Sequence, residues 1–94
     1  MRKVTIDFRK IKDEVSLNIF LAEELNLPSY MSGEYGYNLA AFWDVYAYSD
    51  DDNFFELINI NTVTDKNFKE SINAFIDILN DLKGTNKNFS FEII

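Results

Sequence analysis

The sequence contains no cysteine and no histidine among its 94 residues. Without cysteine the chain can form no disulfide, no thiolate metal site and no cysteine nucleophile. Without histidine it lacks the commonest general base near neutral pH and the commonest metal ligand. Proline occurs once and glycine three times, and no P-loop, dinucleotide-binding or serine-nucleophile motif is present. We therefore expect a protein that is not an enzyme and that needs no cofactor.

Long apolar runs are also absent. The N-terminus reads MRKVTIDFRK, which lacks the apolar stretch of a secretory signal peptide, and no later run approaches the length of a membrane span. Hydrophobic residues nevertheless make up 47% of the chain, which is enough for one compact core. The sequence predicts a single domain over residues 1–94, located in the cytoplasm and without a membrane partner.

Basic residues are missing from the middle of the chain. No lysine or arginine lies between Lys12 and Lys66, whereas residues 30–56 contain six acids. Most of the formal net charge of −7 is therefore a local feature of this stretch. A pI near 4.4 disfavours binding to nucleic acid, because the phosphates would be repelled. We expect a basic protein as the partner.

The same region is rich in aromatic side chains. Residues 27–52 hold all five tyrosines, the only tryptophan and two of the three glycines. Tyrosine and tryptophan are favoured anchors of protein interfaces, and acids around them accelerate the capture of a basic partner. The alternative is that the tyrosines form a second layer of the core. We favour a protein-binding surface, because the tyrosines lie beside glycines and unopposed acids.

The hydrophobic pattern predicts an α/β fold. Period-2 alternation indicates strands at 3–8 and 89–93, and a continuous apolar run indicates a central strand at 54–60 that is covered on both faces. Helical periodicity indicates helices at 15–25, 39–46 and 66–83, with Gly84 ending the last one in the left-handed conformation. Strands separated by helices usually pair in parallel. We expect a three-stranded parallel sheet packed with three to four helices, which lie mainly on one face.

The short helix after Asn38 carries the acid of greatest interest. At about 100° per residue, Ala40 and Asp44 lie on the side opposite the apolar residues, and Trp43 borders them. Asp44 is then either a solvated surface acid or a binding residue. The three aspartates at 50–52 offer oxygen ligands to a hard cation, although they lack the alternate spacing and the glycine of a calcium loop. Metal binding and carboxylate catalysis are therefore weaker alternatives.

Two runs in this region, EELNLPSY and GYNLAAFWD, resemble the signature segment of the barstar family, the intracellular inhibitors of the secreted ribonuclease barnase. In that family a helix ends in E-L-x-L-P-x-Y, and G-x-N-L-D-A-L-W-D opens the next helix. The matching positions are Glu24, Leu25, Leu27, Pro28, Tyr30, Gly36, Asn38, Leu39, Ala41, Phe42, Trp43 and Asp44. The resemblance implies a three-stranded parallel sheet packed with helices, in agreement with the hydrophobic pattern.

The resemblance also implies a function, which is inhibition by plugging the basic cleft of a secreted or toxin-type ribonuclease. Acidic side chains of the loop and of the following helix would take the place of RNA phosphates, with Asp44 as the chief anion. Gly36 and Asn38 would shape the loop. Tyr35 and Trp43 would supply contact area beside the anion.

The chain departs from the family pattern in three ways. Ala40 stands where the family often has a second acid, the loop before the helix is longer, and Ile78 stands where a further contacting acid is expected. Glu34 and the aspartates Asp50 to Asp52 would replace the missing negative charge against a cleft of different shape. The alternative is therefore an immunity or adaptor protein for a different basic protein, such as a DNase toxin.

Overall fold

The computed structural model describes residues 2–24 and 39–94, without the side chains at positions 22, 24 and 39–41. Its strands are β1 (Arg2–Asp7), β2 (Asn53–Ile58) and β3 (Phe89–Ile93), and its α-helices are α1 (Glu14–Glu24), α2 (Leu39–Ala47) and α3 (Lys66–Thr85). Short 3-10 helices follow β1 at Phe8–Lys10 and β2 at Ile60–Thr62. The predicted α/β order is therefore present in the described residues.

The three strands form one parallel sheet with β2 in the middle. Val4 of β1 pairs with Phe55 of β2, which pairs in turn with Phe91 of β3. The prediction of three parallel strands with a central strand at 54–60 is confirmed, apart from the exact bounds of the strands.

The central strand ends two residues earlier than predicted, at Ile58. Asn59 stops it, because its backbone takes the left-handed conformation with φ of 62°. The Asn59 side-chain amide donates to Asp7 Oδ1 at 3.0 Å, which ties the ends of the two neighbouring strands together. Hydrogen bonds from the Arg9 side chain and from Asn59 hold the pKa of Asp7 below its usual value, so this carboxylate stays charged.

The two faces of the sheet differ in burial. Along β2, the residues Asn53, Phe55 and Leu57 are buried, whereas Phe54, Glu56 and Ile58 are only half-buried. Glu56 lies 3.5 Å from the Lys3 ammonium and accepts a hydrogen bond from the Thr5 hydroxyl at 3.3 Å. The prediction that both faces are covered is therefore wrong for the second face, where a polar cluster lies in partial contact with solvent.

Aromatic rings attach α2 and α3 to the first face. The Phe42 ring centroid lies 5.7 Å from that of Phe55 in β2 and 5.5 Å from that of Phe75 in α3. The Tyr46 ring lies 5.9 Å from that of Phe89 in β3. Edge-to-face contacts of this kind add to the gain from burying the rings. They fix α2 over the sheet with one defined side facing outward.

Helix α1 packs against α3, and its Leu17 and Leu21 are buried in the core that covers the first face, as expected if the helices lie mainly on one face. Its Ser16 and Phe20 line a cavity of about 410 Å³ together with Thr5 and Ile58 of the second face. Asp13 caps the start of this helix, because its Oδ1 accepts a hydrogen bond from the Ser16 backbone N–H at 2.8 Å.

Helix α3 begins as predicted but ends differently. Asp65 caps its start by accepting a hydrogen bond from the Phe68 N–H at 3.0 Å. Gly84 was expected to end it in the left-handed conformation, but the helix continues to Thr85, and the Asn86 N–H donates to the Leu82 carbonyl at 2.8 Å. No helix in the described part of the chain combines the length and apolar character needed to cross a membrane.

The helical conformation of Gly84 generates a test. A β-carbon at this position meets no atom within 4 Å. Gly84→Ala should therefore raise the free energy of unfolding by about 0.5–1 kcal/mol, because alanine loses less backbone entropy on folding than glycine does. Urea denaturation measures the difference. Gly84→Asn serves as the comparison, since asparagine tolerates the left-handed conformation better than alanine. If the asparagine variant were the more stable of the two, Gly84 would be a left-handed cap after all.

Candidate functional site

The outward side of α2 is set by the two aromatic residues on its inward side. Phe42 and Tyr46 are one helical turn apart and are buried in the core. Asp44 lies between them in sequence and therefore points away from the sheet, where its side chain is exposed. The side chains of Val45 and Tyr48 are 38% and 77% exposed, so this surface combines a carboxylate with apolar and aromatic area.

Trp43 borders this surface and is half-buried against the core. Its ring meets the Tyr48 ring edge to face, with centroids 6.0 Å apart and an interplanar angle of 87°. The indole Nε1 is shielded from solvent and has no acceptor among the described residues. Packing rather than hydrogen bonding therefore holds Trp43 and supports Tyr48 from one side.

Buried Asn86 anchors the turn that follows α2. Its side-chain Nδ2 donates to the carbonyl oxygens of Tyr46 at 2.9 Å and of Ser49 at 2.8 Å. Its Oδ1 accepts a hydrogen bond from the Asn88 backbone N–H at 2.9 Å. Asn86 lies between α3 and β3. Its side chain therefore supplies hydrogen-bond donors to carbonyl groups at the end of α2 and holds the start of the turn at residues 49–52.

The other carbonyl oxygens of this turn also accept hydrogen bonds. Asn88 Nδ2 donates to the carbonyl oxygen of Asp50 at 3.4 Å, and Asn53 Nδ2 donates to that of Asp51 at 3.0 Å. The Arg2 backbone N–H donates to the carbonyl oxygen of Asp52 at 2.9 Å. Asn53 is itself buried at the start of β2. The backbone of residues 49–52 is thus held at every carbonyl, while the three aspartate side chains remain exposed.

We call the surface formed by Asp44, Val45, Tyr48 and the aspartates at 50–52 the acidic face. The ion pairs of Lys3 with Glu56 and of Arg9 with Asp7 lie elsewhere in the described residues, and Arg2 lines a cavity together with Asp51 and Asp52. Four carboxylates outnumber this one cation, and like charges close together produce a local negative potential. The acidic face is therefore suited to a positively charged partner.

A metal ion fits this surface poorly. Calcium sites use backbone carbonyl oxygens as well as carboxylates, and the carbonyl oxygens of residues 49–52 already accept hydrogen bonds. Within residues 2–24 and 39–94, no three acidic side chains converge in a way that could hold a metal ion. The described residues give no support to the alternative in which the aspartates at 50–52 bind a cation.

The predicted binding residues divide into three groups. Trp43, Asp44 and Asp50 lie on or beside the acidic face. The backbone of Ala40 lies in α2, but its side chain is outside the described set. Four predicted residues, Glu34, Tyr35, Gly36 and Asn38, lie outside the described residues, so their roles stay predictions.

Three residues that form or hold this surface were not singled out from the sequence: Tyr48, Asn53 and Asn86. Of the two tyrosines in the described part of the aromatic region, Tyr46 is buried in the core and Tyr48 is exposed. The helical phase of α2 contains this signal, because Tyr46 follows Phe42 by one turn and Tyr48 follows Asp44 by one turn. Nothing in the local sequence marks Asn53 or Asn86 as buried, since the partners that bury them are distant in the chain.

Comparison with known proteins adds no relationship. No protein-family model matches the chain, and no curated protein is found to be similar to it.

The role of Asn86 as an anchor is testable by substitution. Asn86→Ala should lower the free energy of unfolding by about 2–4 kcal/mol, because it leaves buried backbone groups at the end of α2 without their hydrogen-bond partner. Asn88→Ala is the matched control. Its side chain makes one long hydrogen bond, of 3.4 Å, at the surface, and its loss should cost less than about 1 kcal/mol. Equal losses in urea denaturation of the two variants would contradict the anchoring role.

Proposed function

We propose that this protein is a barstar-like inhibitor that binds a basic microbial ribonuclease through the acidic face and blocks its active site. The observation that carries the proposal is the acidic face itself. Four exposed carboxylates and the exposed ring of Tyr48 lie on α2 and on the turn after it, and both of these segments are anchored to the core.

The chemistry of a ribonuclease cleft explains why such a surface would bind there. The cleft binds the phosphates of RNA with cationic side chains, and carboxylates present the same charge and the same acceptor oxygens. Charge-assisted hydrogen bonds between arginine and carboxylate are roughly twice as strong as neutral ones once water is excluded. Asp44 is the chief candidate for this contact, because it lies on the rigid helix beside an aromatic rim.

Two further features support the resemblance on which this proposal draws. The three-stranded parallel sheet with its helices is the fold that the barstar resemblance implies. The matched residues Trp43 and Asp44 occupy the positions expected of contact residues, one half-buried at the edge and one exposed. An exposed acid alone is common, but aromatic side chains are enriched in interfaces and are surrounded there by a polar rim.

A different basic protein, such as a DNase toxin, is the second candidate. Its support is the distribution of charge along α2 and the turn. Ala40 offers no anion one turn before Asp44, whereas the exposed aspartates at 50–52 place additional charge beyond the end of the helix. A cleft of different shape from that of barnase would meet this arrangement better.

Inhibition assays test the function and separate the two candidates. The protein is titrated into barnase and into a panel of basic microbial nucleases that includes both RNases and DNases, and cleavage of RNA and of DNA is followed separately. We expect stoichiometric loss of RNA cleavage by at least one of these enzymes. Loss of DNA cleavage alone would favour the second candidate. Unchanged cleavage of both substrates at a tenfold molar excess would contradict the proposal.

Asp44 should dominate the affinity for the inhibited nuclease. Asp44→Ala should weaken binding by about 2–5 kcal/mol, because it leaves a cation of the partner buried without its anion. Glu70 is an exposed acid near the start of α3, at the end of this helix opposite to Asn86, and Glu70→Ala is the matched control that should leave the affinity unchanged. Isothermal titration calorimetry measures both variants. A loss below about 0.5 kcal/mol for Asp44→Ala would return this residue to the role of a solvated surface acid.

The association rate should fall as salt is added. Exposed charges are screened beyond about 10 Å at 0.1 M ionic strength, so attraction between the acidic face and a basic cleft acts at longer range only at low salt. Stopped-flow measurements between low and high salt should show slower association and nearly constant dissociation. Replacement of all three aspartates at 50–52 by asparagine should flatten this dependence. A rate that is independent of salt in the wild-type protein would rule out electrostatic steering.

A further inference from the structure

A cavity of about 330 Å³ opens next to the acidic face, between the end of α2 and the start of β2. Val45, Asp51 and Asp52 belong both to this cavity and to the acidic face. Tyr46 and Arg2 are among the other residues that line the cavity. The cavity is large enough for one long side chain of a partner protein.

The Tyr46 hydroxyl has no hydrogen-bond partner among the described residues. Its side chain is only 4% exposed, and its ring is fixed by Phe42 at 4.9 Å and by Phe55 at 5.5 Å between centroids. Because the ring packs into the core while the residue lines the cavity, the hydroxyl group lies on the cavity side. Burial raises the pKa of Tyr46 to about 12, and the nearby positive charge of Arg2 opposes this rise. The hydroxyl therefore stays protonated at neutral pH and can both donate and accept a hydrogen bond.

The exposed carboxylates of Asp51 and Asp52 also line the cavity. The backbone carbonyl oxygens of both residues already accept hydrogen bonds from the protein. With Arg2 counted, the charged side chains that line the cavity sum to −1. Val45 adds an apolar wall along which a methylene chain can lie. The cavity thus offers acceptors in more than one direction, one unbalanced negative charge and a hydrophobic side.

We infer that this cavity is a pocket for the guanidinium group of an arginine side chain from the basic partner, bound by the Asp51 and Asp52 carboxylates and by the Tyr46 hydroxyl oxygen. A guanidinium has five donors in a planar fork, which suits acceptors spread around a cavity better than the compact ammonium group of lysine does. A metal ion is disfavoured because the neighbouring carbonyl oxygens are occupied. The inference rests on the proposed function for the identity of the partner, but its binding chemistry is testable without any nuclease.

The test uses N-acetyl-L-arginine amide as the probe, titrated into the isotope-labelled protein and followed by amide chemical shifts in NMR spectra. N-acetyl-L-citrulline amide, which has nearly the same shape without the charge, is the matched control, and N-acetyl-L-lysine amide tests the preference for guanidinium. We expect saturable shifts concentrated at residues 46 and 51–53 with the arginine probe, at least fivefold weaker binding of the lysine probe, and no saturable shifts with citrulline.

The variant Tyr46→Phe separates binding from structure. It removes the hydroxyl group and keeps the ring in the core, so it should weaken the arginine probe at least fivefold. Its thermal midpoint should change little, because the hydroxyl group makes no hydrogen bond to the described residues and the ring stays in the core. Asp52→Asn should also weaken the probe, whereas Glu70→Gln near the start of α3 should not.

Four results would overturn the inference: equal shifts with arginine and citrulline, equal affinity for arginine and lysine, shifts spread evenly over the acidic surface, or full binding by Tyr46→Phe. These outcomes are independent of the inhibition assays. Arginine binding at the pocket together with unchanged nuclease activity would remove the proposed function and keep the pocket. Nuclease inhibition without arginine binding would remove the pocket and keep the proposed function.

Discussion

The hydrogen bonds of Asn86 determine where the acidic face lies. A buried amide is costly unless all of its polar atoms are paired, so its three side-chain bonds select one arrangement of the end of α2 against the start of β3. Asn53 acts in the same way on the far end of the turn. Two buried asparagines therefore hold a loop that carries three adjacent aspartates, which would otherwise separate from one another because of their mutual repulsion.

This anchoring connects stability to binding. A partner that meets an already ordered helix and turn does not have to order them, so less of the interaction energy is lost as conformational entropy. The unfavourable features of the free protein lie at the same place. Exposed like charges repel one another, and four carboxylates lie on the acidic face. A basic partner would relieve this repulsion, and local features of this kind, which do not favour stability, are expected at functional sites.

The fold was largely predictable from the sequence, because the spacing of apolar residues defines strands and helices. The exposure of Asp44 follows from the phase of α2, and so does the opposite burial of Tyr46 and Tyr48. The anchors were not predictable, since Asn86 bonds to carbonyl groups 40 and 37 residues earlier in the chain. The Gly84 prediction was wrong for a related reason: glycine is common after a helix, but here Asn86 supplies the end of α3 two residues later.

The most direct test of the account is to map the surface that contacts the inhibited nuclease. Amide chemical shifts of the labelled protein, recorded with and without the unlabelled enzyme, report this surface residue by residue. The account predicts the largest changes over residues 44–53, with small changes on the exposed side of α3 around Asn73 and Asn80. Large changes around Asn73 and Asn80, together with unchanged shifts at 44–53, would show that the acidic face is not the binding surface.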